Sequence, residues 1–234
     1  MTIEYKLEQK MSSNTPIFVD VETDGCGSFR DGTHRIIQLG WSVGNEYRNY
    51  YVKGCKYINP QALHVHKITL EHLETHGYLF NDAIQPFLED LRNVDNPMLV
   101  AHNVQFDYGC LVHNMKLHQC SATDIEFVTN LKCFCTMKNS TDFCQLPGKW
   151  GQYKWPSLLE LRRALELEEK TQVHDAIQDV ILLKEVYTVA IDRGIFASCV
   201  QHSVTPVVGV PVLSEAHIVP VAKNLPGRPF SDDC

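Results

Sequence analysis

Long hydrophobic runs are missing from this chain of 234 residues. No stretch approaches the roughly 18 apolar residues that a membrane-spanning helix needs, and the apolar fraction is an ordinary 44%. An integral membrane protein is therefore not expected. An apolar leader is missing as well: Met1 to Lys10 mixes Glu4, Lys6, Glu8 and Lys10 with few apolar residues, unlike a secretion signal. The expectation is an intracellular, cytoplasmic location rather than export. Paired cysteine units are also absent. Nine cysteines are an odd number, in a chain too long to depend on covalent staples, so free thiols in a reducing compartment are expected. Cys133 and Cys135, taken with Cys120, Cys144 and His118, lack the paired spacing of a structural zinc site. Basic residues are few. With 21 Lys and Arg against 28 Asp and Glu, the formal charge is −7, which argues against tight nonspecific binding to duplex nucleic acid.

What is present suits one α/β domain with a sizeable core. We place it at residues 16–197, preceded by an extension, 1–15, and followed by a tail, 198–234. Pro16 to Glu22 is a β-rich run, and Arg35 to Val43 with Tyr47 to Val52 reads as a hairpin turning at Gly44-Asn45. Thr69 to Thr75 has helical character, as does Asn81 to Leu91, where Ala83, Ile84, Phe87, Leu88 and Leu91 share one face. Pro97 to His102 is an apolar strand feeding a helix over 104–117. Cys120 to Trp150 reads as irregular, with a strand through Phe134-Cys135-Thr136. Ser157 and Asp175 each open a further helix, the second reaching Arg193. Three neighbouring strands followed by strand and helix in alternation predict a mixed sheet with helices on both faces. In the tail, Pro206, Pro211, Pro220, Pro226 and Pro229 break helices and interior strands. Its bland reading is a mobile tail; its apolar content suggests a tether for a partner protein.

Against this background stand four carboxylates and one histidine in three local patterns: Asp20-Val21-Glu22-Thr23, His102-Asn103-Val104-Gln105-Phe106-Asp107, and His174-Asp175-Ala176-Ile177-Gln178-Asp179. Residues two apart on a strand share a face, so Asp20 and Glu22 aim together while Val19 and Val21 enter the core. Asp107 falls on the first turn of a helix that follows a strand, where loops gather at the carboxyl edge of a sheet. Asp179 falls on the first turns of the last helix, which Asp175 caps and His174 precedes. Alone, each pattern is an ordinary solvated edge or helix cap. Gathered together, four carboxylates would repel one another unless cations neutralise them, and an all-oxygen set suits Mg²⁺ or Mn²⁺. Setting those four aside reduces the balance of −7 to −3. Two such ions about 3.5–4 Å apart activate water and hold a phosphodiester, and His174 suits proton removal from that water.

These residues resemble the DEDDh 3′–5′ exonucleases, the group of polymerase proofreading subunits, RNase T and oligoribonuclease. Asp20-Val21-Glu22-Thr23-Asp24-Gly25 is similar to the first family motif, His102-Asn103-x-x-Phe106-Asp107 to the second, and His174-x-Ala176-x-x-Asp179 to the third. The resemblance runs from about Ile17 to Arg193. It implies a ribonuclease-H-like fold, two divalent cations held by Asp20, Glu22, Asp107 and Asp179, and His174 as general base. Val65-His66-Lys67-Ile68-Thr69 resembles a stretch that ends His-Gly-Ile-Thr in the family and lies near the nucleotide terminus, with Lys67 here in place of glycine. By the same resemblance, Thr23, His66, Asn103 and Phe106 border the substrate.

The function expected is release of nucleoside 5′-monophosphates from a single-stranded or frayed 3′ end in proofreading, repair or nucleic-acid processing. DNA is the preferred substrate, with RNA or short oligonucleotides as the alternative. The tail is then a candidate contact for a polymerase or repair partner. A non-catalytic scaffold of the same fold is the reading from another class. Lys149, Lys154, Arg162 and Arg163, interleaved with Trp150, Tyr153 and Trp155, mix cations and rings as single-strand binders do. The preferred reading of that stretch is a solvated helix face with tryptophans in the core.

Overall fold

The computed structural model describes residues 14–25, 34–170 and 174–196; the expected N-terminal extension, except for its last two residues, and the Pro/Val-rich tail lie outside them. Five strands form one sheet in the order β3-β2-β1-β4-β5: β1 Thr15–Thr23, β2 Ile36–Val43, β3 Glu46–Tyr51, β4 Pro97–Ala101 and β5 Lys132–Cys135. The first three pair antiparallel through the expected hairpin, whereas β1 with β4 and β4 with β5 pair parallel. The sheet is mixed because its first half is joined by a tight turn and its second half by helical crossovers.

Strand alternation decides what each face meets. From β1, Ile17, Val19 and Val21 enter a core with Leu99 and Ala101 of β4, covered by α3 (Phe80–Arg92) and α4 (Val104–Leu117). Phe18 faces the other way, with Met98 and Val100, into a second core covered by α8 (Leu158–Ala164) and α9 (Ala176–Asp192). Asp20 and Glu22 continue the Phe18 side, so β1 turns from apolar to acidic on that face as it reaches its carboxyl end. The five apolar positions read on the second helix, Ala83, Ile84, Phe87, Leu88 and Leu91, are all buried on α3, joined by Phe80.

Four helices went unread, two of them the single turns Thr136–Asn139 and Thr141–Cys144. In α1 (Pro60–His66), Asn59 accepts from the Gln61 amide and Pro60 stands in the first turn, a start signal overshadowed by the shortness of the element. In α5 (Ala122–Thr129), within the stretch expected to be irregular, only Val128 is buried, so no apolar stripe advertises the helix. Short α2 (Leu70–His76), α6 (Thr136–Asn139) and α7 (Thr141–Cys144) complete the set among the described residues.

The reading of the basic and aromatic stretch is corrected for the tryptophans and for Arg162, whereas Lys149, Lys154 and Arg163 are exposed as that reading has it. Trp150 and Trp155 are 97% and 57% exposed and lie outside the core. Arg162 is only 2% exposed, and its guanidinium donates to Glu185 at 2.6 Å and to the Glu168 carbonyl at 2.9 Å. It is a buried structural cation, not part of a solvated face. The six cysteines among the described residues are free thiols.

Candidate active site

The pairing of β1 with β4 ends at Phe18 and Val100, while β1 runs on to Thr23. Beyond that point the Val21 amide donates instead to Asp107 Oδ1, at 3.2 Å. Asp107 sits in the first turn of α4, which starts abruptly after β4 because Asn103 takes a left-handed backbone, φ 96° and ψ 50°. That conformation is costly for any residue with a side chain, and Asn tolerates it better than most. It directs α4 back over the sheet edge so that its first turn lies beside β1.

Helix α9 reaches the same edge from the opposite face. Asp175 caps it, accepting from the Gln178 amide at 3.2 Å. The start of the helix is also tied to the sheet by Gln38 of β2, which is fully buried. Gln38 Nε2 donates to Asp175 Oδ2 at 2.8 Å, and Gln38 Oε1 accepts from the Ala176 amide at 3.2 Å. Two strand positions further on, Gly40 pairs with Asp20, and a Cβ at Gly40 would lie 2.7–2.9 Å from the backbone of Ala176 and Ile177. Only glycine allows this approach. Neither Gln38 nor Gly40 was singled out beforehand; the signal available was a polar amide and a glycine inside a mostly apolar strand.

These supports bring Asp20, Glu22, Asp107, Asp179 and His174 to one place. Ligand atoms of Glu22, His174 and Asp179 lie within 4.8 Å of one another. Burial, followed by the charges of Asp107, Glu22, Asp179 and Asp175, holds the Asp20 carboxyl well above the usual carboxylate range. Burial and then Asp179, Asp107 and Asp175 push Glu22 up to about 8. Asp107 is raised by burial to about 7, against the opposing pull of the Val21 amide. Asp175, expected only as a cap, is thus a fifth carboxylate in the field. Such mutual repulsion, added to burial, fits a site for hard divalent cations, with carboxylate oxygens of Glu22 and Asp179 close together and a His174 ring nitrogen beside them.

Of the residues expected to border a substrate, Thr23 follows Glu22 in β1 and His66 lies near His174. Thr23 is buried, its hydroxyl donating to the Gly25 carbonyl at 2.9 Å. His66 ends α1, buried, with Nδ1 accepting from the Ile68 amide at 3.0 Å. Its pKa is lowered, chiefly by burial and also by the nearby charges of His174 and Lys67, with the Thr23 backbone opposing. The Asn59 amide donates to the Asp24 carbonyl at 2.8 Å, which docks α1 on the end of β1. Phe106 is half-buried and packs against the α3/α4 core. Lys67 takes the left-handed backbone, φ 61°, that glycine would take at this helix end, and closes α1 with a bond to the Leu63 carbonyl at 2.9 Å. His102 is a packing residue: Nε2 meets the Pro156 carbonyl at 2.9 Å and Nδ1 lies 3.0 Å from Thr136 Oγ1. Among the described residues, the cysteines form no metal-binding group.

An exonuclease family model, RNase_T, matches residues 17–187. DNA polymerase III subunit epsilon of Rickettsia conorii is 30% identical over 187 residues, covering 76% of this chain and 74% of that protein. The same subunit from Pasteurella multocida is 28% identical over 182 residues, and this chain spans 66% of its length. Among solved structures, Escherichia coli exonuclease I in complex with a dA16 oligonucleotide superposes with a TM-score of 0.62 at 18% identity, over 79% of this chain and 42% of that one. That likeness speaks to the fold.

Proposed function

This chain belongs to the DEDDh 3′–5′ exonuclease family, and we propose that it hydrolyses the terminal phosphodiester of single-stranded or frayed DNA, releasing nucleoside 5′-monophosphates. The observation that carries the reading is the convergence of Asp20, Glu22, Asp107 and Asp179 with His174 at one sheet edge. In this reading the four carboxylates hold two divalent cations, Mg²⁺ or Mn²⁺. When bound, the cations supply the positive charge that activates water and stabilises the leaving 3′ oxygen.

The chain's own residues do the rest. His174 stands at the mouth of α9, beside Glu22 and Asp179, and accepts the proton of the attacking water. Asp175 and Gln38 hold the helix start so that His174 and Asp179 keep their separation. Thr23, His66, Asn103 and Phe106 border the terminal nucleotide. DNA is preferred because the relatives named above are subunits of a DNA polymerase, and a polymerase is the corresponding partner class. The tail, expected as the tether for such a partner, lies outside the described residues.

The test is degradation of matched 5′-labelled DNA and RNA oligonucleotides in Mg²⁺, Mn²⁺ or EDTA by the wild-type chain and by Asp20→Ala. The expected outcome is a metal-dependent DNA ladder shortening from the 3′ end, at least about 10³-fold slower in the variant. A faster ladder on RNA would move the substrate assignment. Absence of cleavage in every metal would leave the scaffold reading.

A further inference from the structure

The two exposed tryptophans are unexplained by packing. They belong to a small hairpin before α8, in which the Lys154 amide donates to the Leu146 carbonyl at 3.0 Å and the Gly148 amide to the Gln152 carbonyl at 2.9 Å. At its tip the Gln152 amide reaches back to the Lys149 carbonyl at 3.3 Å, enclosing Trp150 and Gly151. Both have positive φ, 62° and 76°. Turns of this kind favour Asn or Gly at the first of these positions. A bulky aromatic there is strained and, at 97% exposure, returns no burial to the fold. Tyr153 and Trp155 extend the surface, at 47% and 57% exposure.

This surface is tied to the active site. Lys138 lies over the Trp155 ring, 5.7 Å from its centroid, and the same ammonium donates to Gln105 Oε1 at 2.7 Å. Gln105 is in the first turn of α4, two residues before Asp107. The next residue after Trp155, Pro156, is held by His102 of the second motif. Lys149 at the tip and Lys138 bring positive charge to a chain of net −7.

We propose that Trp150, Tyr153 and Trp155, with Lys138 and Lys149, form a stacking rail for the single-stranded segment that lies 5′ of the terminal nucleotide. Rings provide sequence-tolerant platforms for bases and the ammonium groups meet backbone phosphates. The rail rests on the proposed function for its place in a reaction, but its binding is read without catalysis. Trp41 is fully buried and is the third of three tryptophans, so changes in indole emission report on the other two.

The experiment titrates the full chain in Ca²⁺ with dT12, rU12 and the dinucleotide dT2, following tryptophan emission. Quenching by dT12 and not by dT2 is expected. Trp150→Ala and Trp155→Ala should each weaken dT12 binding about ten-fold, since stacking on one ring contributes on the order of ten-fold or more. Phe at either position should restore most of it, and cleavage of dT2 in Mg²⁺ should not change. Quenching by rU12 as well would support the rail, because stacking ignores the sugar. Unaltered dT12 affinity in both alanine variants, or an equal loss of dT2 and dT12 cleavage, would overturn it. A chain that binds dT12 on these tryptophans yet cuts nothing would overturn the proposed function and leave the rail standing.

Discussion

Lys67 occupies a backbone position suited to glycine. Its left-handed φ of 61° closes α1 and sets the approach of His66 to the end of β1. A non-glycine residue in that region costs on the order of 1 kcal/mol, partly offset by the greater freedom of glycine in the unfolded chain. Lys67→Gly should therefore stabilise the protein by up to about 0.5 kcal/mol, read as a higher urea midpoint with unchanged slope. A lower midpoint would mean that the lysine side chain contributes more than its backbone costs. The departure from the family motif thus places a side chain on a backbone that suits glycine.

Helix α9 illustrates how an element can be positioned by what is absent from its neighbour. Adding one methyl group at Gly40 would drive it into the Ala176 and Ile177 backbone, which has no flexible end to yield. Gly40→Ala should cost about 1–3 kcal/mol in stability, as overpacking does. It should lower single-turnover cleavage by about 10²-fold, because His174 and Asp179 shift with the helix start. Stability loss with full activity would show that the helix relaxes without moving the site.

The same elements explain what could and could not be read from residues. Strand β1 was readable because alternation puts Asp20 and Glu22 on one side and Val19 and Val21 on the other. Helices α3, α4 and α9 announced themselves by apolar spacing or caps. The α5 helix buries one side chain only, so it left no periodic trace. Trp150 and Trp155 were misread because hydrophobicity does not say which way a ring points; a turn that forces positive φ does, and that is a property of the folded backbone. Arg162 looked like its exposed neighbour Arg163, and the distant Glu185, with the Glu168 carbonyl, holds it as a core residue. Gln38 acts through Asp175 and Ala176, more than a hundred positions away, and no local pattern reports such a link.

The protein as a thermodynamic unit should respond to pH through its acidic site. Glu22 and Asp107 have folded pKa values of about 8 and about 7, above their unfolded values, so the folded chain holds protons that the unfolded chain has released. Stability of the metal-free protein should then fall as pH rises from about 6.5 to about 8, by up to roughly 1.4 kcal/mol per pH unit for each such proton. Below that window the buried His66 and His102, whose pKa values are lowered, the latter to about 4, act in the opposite direction. Mg²⁺ requires ionised ligands, so its stabilising effect should grow across the same window. Thermal midpoints from pH 6.5 to 8 in EDTA and in MgCl₂ should diverge. A midpoint in EDTA that holds level or rises would contradict the raised pKa values that burial, with mutual repulsion, gives these carboxylates.

The acidic cluster draws on β1, the start of α4 and the start of α9, contacts that span most of the described chain. Its assembly has consequences during synthesis. A ribosome releases β1 early and α9 late, so a nascent chain carries Asp20 and Glu22 long before Asp179 and His174 can join them. Contacts between such remote positions are slow to form, because the entropy of closing the long intervening loop must be offset first. The full cluster is therefore complete only once α9 has docked, since β1 and α4 by themselves supply Asp20, Glu22 and Asp107 alone.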